Sequence, residues 1–330
     1  MKAIVYKKYG SPDVLKYEEI EKPTAGDDEV LIKVHAASVN PLDFHFMRGT
    51  PSAVRLFSGI LKPKTTRLGR DVAGIVETVG KNVTQFKPGD AVFGTCRGAF
   101  AEYVCTSESS VVMKPNNVTF EQAASAPVAA LTAMQGLRDK GEIKPGQKVL
   151  VNGAAGGVGT FAVQIAKSFG AIVTGVCSTR NVEMVQSIGA DNVIDYTKEN
   201  FTKNGQRYDL ILDCYANQSL FAYRRALNEN GKHVSVGGPV YSLIGIIAGS
   251  LAALVMSSLV SQKFLSFITK VNKEDLTIIH ELMTAGKVTP VIDKRYKLSE
   301  VRQAILYTEE GHARGKIIIT NRLGELDSIE

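Results

Sequence analysis

Residues 148–167 read KVLVNGAAGGVGTFAVQIAK, and this stretch decides the fold. An apolar run (Val149, Leu150, Val151) leads into a small-residue turn holding Gly156, Gly157 and Gly159. An amphipathic helix is predicted after it, with Phe161, Val163, Ile165 and Ala166 facing inward. Strand, glycine turn and helix in that order set backbone N–H groups and a helix N-terminus against a pyrophosphate. The first glycine of the usual fingerprint is Ala154 here. Gly156 still permits close backbone approach to phosphate, and Gly159 still permits close packing of helix on strand.

A glycine turn alone is weak evidence, so its surroundings carry the assignment. Five further strand-like runs follow: 172–178, 192–196, 208–214, 232–237 and 264–268. Helix-compatible segments separate most of them, the pattern of a doubly wound parallel sheet. The first ~120 residues differ, with short strands at 2–7, 29–36, 72–79, 91–93, 100–105 and 111–114 and turn signals such as Lys87-Pro-Gly-Asp90 between them. That reads as a β-rich, barrel-like domain. A bridging helix over 119–139, capped by Thr119, leads out of it. Beyond the sixth sheet strand come a helix over 273–285, a strand over 291–298, a helix over 299–309 and a last strand over 316–320. The last strand is expected to return to the first domain, which makes the doubly wound domain an insertion.

Composition narrows the function classes. The chain has 330 residues, 44% hydrophobic and 22% charged, ordinary for a globular protein with room for two cores. Its net charge of +6 is mildly basic. The cations at Lys62, Lys64, Arg67, Arg224 and Arg225 lack the interleaved aromatics of a single-strand binding face, so no nucleic-acid partner is expected. They read as a solvated surface or as steering for an anionic cofactor or lipid. Cys96, Cys105, Cys177 and Cys214 show no metal or disulfide spacing. The first residues, MKAIVYKKYG, read as a strand and not as a signal peptide, so a cytoplasmic location is the default. From Val234 to Gln262 no residue is charged. A membrane span there would cut the sheet apart. The readings kept for 240–261 are a pocket wall, a subunit contact, or a peripheral contact with a membrane surface.

These residues together resemble the medium-chain dehydrogenase/reductase family, in its zinc-free quinone oxidoreductase branch, near chloroplast-envelope quinone oxidoreductases and alkenal reductases. The resemblance spans nearly the whole chain. It is carried by Ala37-Ser-Val-Asn-Pro-Leu-Asp43, Leu68-Gly-Arg-Asp71 with Ala73-Gly74, and Phe86-Lys-Pro-Gly-Asp90-Ala-Val-Phe93. Gly98-Ala-Phe-Ala-Glu-Tyr103, Ala130-Leu-Thr-Ala133, the glycine turn, Gly189-Ala-Asp191 with Ile194-Asp-Tyr196, and Gly311-His-Ala-Arg-Gly-Lys316 extend it. The resemblance implies an α/β protein. A GroES-like β-rich catalytic domain (1–122 and 268–330) would hold an inserted doubly wound Rossmann domain (123–267), with a nicotinamide cofactor in the cleft between them. It also implies a homodimer, since relatives are commonly dimers.

Zinc-dependent relatives offer catalytic ligands where this chain has Asn40 and Arg70. A guanidinium cannot ligate a metal and an amide oxygen is a poor zinc ligand, so no metal is expected. The cofactor choice is read from Cys177-Ser178-Thr179-Arg180-Asn181, where an NAD enzyme would place a carboxylate for the ribose 2′-hydroxyl. Ser178, Thr179 and Arg180 offer donors to a phosphate instead, and Tyr196 matches a family tyrosine near it, which favours NADPH. Ala155, Gly156, Gly157, Val158 and Gly159 are expected to hold the pyrophosphate. By resemblance, Thr132 touches the nicotinamide carboxamide, and Gly237, Gly238 and the Arg314–Lys316 turn line the same cleft.

Without zinc, electron-poor quinones and α,β-unsaturated carbonyls are the acceptors that need least help. Asn40 and Asp43 are the expected catalytic pair, Asn40 orienting a carbonyl and Asp43 anchoring the loop. A tyrosine found six residues after the asparagine in many relatives is Phe46 here, which leaves water as the final proton source; the adjacent His45 reads as structural. The competing reading is an NADPH-binding protein with a sensing, structural or membrane-surface role. An alcohol dehydrogenase that lost its metal is disfavoured by Asn40 and Arg70.

Overall fold

The computed structural model describes residues 1–237, 253 and 255–321. In chain order the strands are β1 (Lys2–Val5), β2 (Lys16–Glu19), β3 (Glu29–Val39), β4 (Asp71–Val79), β5 (Ala91–Thr95), β6 (Tyr103–Ser107), β7 (Val111–Met113), β8 (Lys148–Asn152), β9 (Ile172–Cys177), β10 (Asn192–Asp195), β11 (Tyr208–Asp213), β12 (Leu227–Ser235), β13 (Lys263–Ser266), β14 (Ile292–Lys297) and β15 (Lys316–Thr320). The chain divides into two compact units. One comprises Met1–Val128, Val271–Thr284 and the chain from Ile292 onward; the other comprises Ala129–Lys270 and Ala285–Val291.

The first unit is built on a seven-stranded sheet in which β14-β15-β3-β4-β5-β7 run side by side and β6 pairs with the other end of β3. Strand β3 carries it. Val30, Ile32, Val34 and Val39 are buried in one core with Val72, Phe100, Val301, Ile305 and Ile317. The return of the chain closes this sheet, since Ile317 to Thr320 pair antiparallel with Val39 to Ala36. The small β1–β2 hairpin joins through an isolated bridge from Ala3 to Ala101.

The second unit is a six-stranded sheet in the order β10-β9-β8-β11-β12-β13, every pair parallel. Strand order reverses direction between β8 and β11, so the crevice for a nucleotide opens at the carboxyl ends of these two strands. The helix Gly157–Ser168 packs on the sheet with Phe161, Val163, Ile165 and Ala166 fully buried. Ala285–Val291 belongs to this unit because the Gln164 amide brackets Thr289: Nε2 donates to its carbonyl at 3.0 Å and Oε1 accepts its N–H at 2.7 Å.

Several elements differ from the sequence reading. The bridging helix is broken into Phe120–Ser125 and Pro127–Gln135, because Pro127 has no N–H to continue the ladder, and it ends in a π-helical turn over Gly136–Lys140. The run 100–105 becomes strand only at Tyr103–Ser107. Strand β2 gives no sequence signal, being mostly exposed and without apolar alternation. The helices Pro41–Arg48 and Ala53–Ser58 were not anticipated, although Asn40-Pro41 is a helix-start signal.

Candidate active site

In the first unit the expected catalytic residues fall in one buried polar cluster. Asn40 and Pro41 open the helix Pro41–Arg48, and the Asp43 carboxylate reaches back to accept the Asn40 N–H at 2.8 Å. Its other oxygen accepts the Gly69 N–H at 3.0 Å, tying the helix start to the loop before β4. Burial pushes the Asp43 carboxyl up to about 6, against the two N–H bonds that favour the charge. The Asn40 side chain is used at both ends. Its amide nitrogen donates to Asp71 at 2.9 Å, and its oxygen accepts from the Lys316 ammonium at 2.7 Å. Asp71 also accepts from the Ser38 hydroxyl at 2.7 Å and from the Val128 N–H at 3.0 Å. Lys316 lies 3.5 Å from Asp71, and burial holds its ammonium below the usual lysine range.

Lys316 was expected to line a cofactor cleft. The structure places its ammonium inside this cluster, almost fully buried, on Asn40, the Val39 carbonyl and Asp71. Asp71 and Ser38 stand within the motifs Leu68–Asp71 and Ala37–Asp43, which assign them no role. A signal was present: Asp71 is the one charged residue in the otherwise apolar run DVAGIV, and a buried carboxylate requires donors. His45 Nδ1 donates to the Thr50 carbonyl at 2.9 Å, and Phe46 packs against the core.

A zinc ion fits poorly here. The Asn40 oxygen already holds an ammonium, and Arg70, at the other ligand position, is a cation whose buried Nε has no hydrogen-bond partner among the described residues. Among the described residues no group of three or more His, Cys, Asp or Glu side chains is arranged to hold a metal.

In the second unit the fingerprint stretch forms the expected turn. Gly153, at φ 80°, lets the chain leave β8, and the Gly153 and Ala154 N–H groups are held by the Val176 carbonyl of β9. A Cβ on Gly159 would stand 2.1 Å from the Gly153 oxygen, so only glycine lets helix and turn approach this closely. A Cβ on Gly156 would meet only that same oxygen, at 3.4 Å, and otherwise project into open space. Gly156 is the N-cap, Gly157 and Val158 follow in the first turn, and Ala155 is buried behind them. The N–H groups of such a first turn have no intrahelical partners, so an open cradle at a helix start fits a pyrophosphate.

The Ser178–Asn181 turn lies at the end of β9, where Ser178 accepts from the Asn181 amide at 3.2 Å. Thr179 does not stand open to a phosphate as expected. Its hydroxyl donates to Asp195 at 2.6 Å, and that bond, with those from Thr197, holds the Asp195 carboxyl down at about 2. Arg180 is exposed on the same turn, and the Tyr196 N–H bonds the Cys177 carbonyl at 3.0 Å, which brings Tyr196 beside it. Thr132 shares a 2.7 Å hydrogen bond with Thr269. Gly237, two residues past β12, comes so near the end of β11 that a Cβ would lie 2.6 Å from the Cys214 oxygen. Gly238 and most of 240–261 lie outside the described residues. Beneath the carboxyl ends of β8 and β11 sits a buried network that was not anticipated: Asp213 accepts from Asn152 at 2.8 Å, His233 at 2.9 Å and the Ala216 N–H at 2.8 Å.

Comparison with known proteins extends the picture. Residues 26–116 match the family described as alcohol dehydrogenase GroES-like domain, and residues 188–319 match zinc-binding dehydrogenase. A 2-methylene-furan-3-one reductase of Solanum lycopersicum is 37% identical over 97% of this chain and 79% of its own length. The chain belongs to the medium-chain dehydrogenase/reductase family, in its quinone oxidoreductase branch. Within this family, an NADPH-dependent alkenal/one oxidoreductase of Arabidopsis thaliana is 35% identical over 97% of this chain and 79% of its own length. The quinone oxidoreductase from Coxiella burnetii superposes with a TM-score of 0.85 at 32% identity, over 98% of this chain and 99% of that one. The GroES-like and Rossmann-type units of this medium-chain reductase are the two units described above.

Proposed function

We propose that the protein is an NADPH-dependent oxidoreductase that reduces quinones or α,β-unsaturated carbonyls by hydride transfer without a metal. One observation carries this reading. At the two positions where zinc-dependent relatives place ligands, this chain has an amide locked on Lys316 and a guanidinium, neither of which suits a metal. Without a Lewis acid the acceptor must itself be electron-poor, so that negative charge spreads onto its oxygen as hydride arrives at carbon. Bound NADPH supplies the hydride equivalent. The chain's own part is to bind and orient: Ala155, Gly156, Gly157, Val158 and Gly159 cradle the pyrophosphate. Ser178, Arg180 and Tyr196 take the ribose phosphate, while the Thr179 hydroxyl is taken up by Asp195. Thr132, Gly237 and Gly238 hold the nicotinamide end. Asn40 and Asp43 keep the loop at the reacting centre fixed, and Lys316 acts through Asn40 as a positioning residue. With Phe46 in place of a tyrosine, water delivers the last proton.

The relatives named for NADPH and for alkenal, furanone or quinone acceptors support this reading. A homodimer in the cytoplasm is its finer part: four unpaired thiols suit a reducing compartment, and the mass in solution tests the dimer. The function itself is tested by titrating the protein with NADPH and with NADH, followed by a panel of enones and quinones. NADPH is expected to bind more tightly, and Arg180→Ala to weaken NADPH about tenfold while leaving NADH unchanged, the worth of one charge-assisted bond. Equal affinities for the two cofactors, or no turnover of any enone or quinone, would remove the proposal.

A further inference from the structure

We propose that residues 53–64 form a docking surface for an anionic lipid bilayer. The inference does not depend on the oxidoreductase reading. The helix Ala53–Ser58 runs into a tight loop closed by the Lys64 N–H on the Ser58 carbonyl at 2.7 Å. The Tyr9 hydroxyl pins it, donating to the Gly59 carbonyl at 2.6 Å and lying 2.8 Å from Ser58 Oγ. Gly59 has φ 117°, and a Cβ there would stand 2.1 Å from the Lys62 oxygen, so the bend is built for glycine. The tip is therefore shaped, and what it presents is apolar: Leu56, Phe57, Ile60 and Leu61 are 64%, 83%, 69% and 92% exposed. Single exposed apolar side chains are ordinary, but four large ones on one short tip mark a contact surface.

Charge selects the occupant. From Phe44 to Arg70 the sequence has six cations (Arg48, Arg55, Lys62, Lys64, Arg67 and Arg70) and no carboxylate. Arg48 is paired with Glu309, and Arg55 is held by the Gly49 carbonyl and the Tyr9 ring. Lys62 and Lys64 are exposed at the base of the tip and make no ion pair among the described residues. Lys8, also exposed, follows two residues after Tyr6, whose N–H bonds the Thr66 carbonyl at 2.9 Å. An apolar tip with lysines at its base matches a lipid surface. The side chains of Leu56, Phe57, Ile60 and Leu61 enter the headgroup boundary while the ammonium groups stay level with phosphates. A second copy of this chain fits less well, since a self-facing contact would set these lysines against each other.

Vesicle flotation tests this with the whole protein, using phosphatidylcholine vesicles with and without phosphatidylglycerol. Wild type is expected to float with the anionic vesicles and to lose binding as salt is raised. Lys62→Glu with Lys64→Glu should lower that binding by at least about tenfold, given a roughly fivefold loss for each surface lysine. Phe57→Asp with Leu61→Asp should abolish it, with the melting temperature unchanged because both positions are exposed. Should the aspartates unfold the tip, the lysine pair alone decides. Wild type that stays in the dense fraction with anionic vesicles overturns the proposal. A dimer that Phe57→Asp splits, in protein that never floats, assigns the tip to a second copy and overturns it too. Cofactor titration reads independently, so loss of NADPH binding and loss of flotation remain distinct failures.

Discussion

The cluster around Asp71 and the turn from Gly153 to Gly159 are both assembled from short polar groups, yet they stand in opposite states of completion. Around Asp71 each carboxylate oxygen of Asp71 and Asp43 accepts a hydrogen bond from the protein, and Asn40 is engaged at both ends. At the glycine turn the helix start offers N–H groups and Gly156 faces open space. One region is completed by folding, the other by a ligand. The cost of damaging the first should therefore appear in stability, and the cost of damaging the second in binding.

The largest effect is expected at Asp71. Asp71→Ala leaves the Lys316 ammonium buried without its carboxylate and strips Ser38, Asn40 and Val128 of an acceptor. Breaking a buried pair in this way costs about 3–5 kcal/mol. Lys316→Met should cost less, because Asp71 keeps those three neutral donors. Urea unfolding at constant m-value measures both. Losses under about 1 kcal/mol for both variants would show that the cluster does not carry the unit's stability.

Asp43 gives the same contrast a pH dependence. Its carboxyl sits at about 6 in the folded chain against 3.8 for an ordinary aspartate, burial being the main cause. A raised acid binds its proton more tightly in the folded state, so on its account stability rises as pH falls through 6 towards 4. The rise is complete below the unfolded value and amounts to at most about 3 kcal/mol, at ~1.4 kcal/mol per unit. Asp195, held low by Thr179, works the other way, losing its stabilising contribution as pH falls towards 2. The measurement is therefore the difference between wild type and Asp43→Asn. The deficit of the variant should grow from pH 7 to pH 4. A constant deficit would mean that Asp43 is not desolvated in solution.

The legibility of these regions in sequence follows the same division. The glycine turn could be read because its chemistry is local: strand, turn and helix are contiguous, and Gly156 and Gly159 both answer to the nearby Gly153 oxygen. The cluster could be read only in part. Asn40 and Asp43 stand out through the resemblance of Ala37–Asp43 to the family, but the partner that fixes Asn40 is Lys316, brought in when β15 pairs with β3. A lysine in a Gly-Lys turn near the far end of the chain looks like a cofactor contact until that pairing is known. Thr179 shows the same limit on a smaller scale. In sequence its hydroxyl stands as a phosphate donor, but the acceptor that claims it, Asp195, comes from the next strand over.

The smallest predicted change separates the two regions most cleanly. Gly156→Ala adds a methyl that meets only the Gly153 oxygen, at 3.4 Å, on backbone with φ −83°, which alanine adopts freely. Folding should barely register it, within about 0.5 kcal/mol. The methyl nevertheless fills the space through which backbone approaches a pyrophosphate, so NADPH affinity should fall about tenfold, or ~1.4 kcal/mol. Gly159→Ala is the control, because its methyl would lie 2.1 Å from the same oxygen and must push helix from turn. It should lose both binding and roughly 1–3 kcal/mol of stability. If Gly156→Ala also unfolded early, the turn would be as closed as the Asp71 cluster, and the contrast between a site completed by folding and one completed by its ligand would fail.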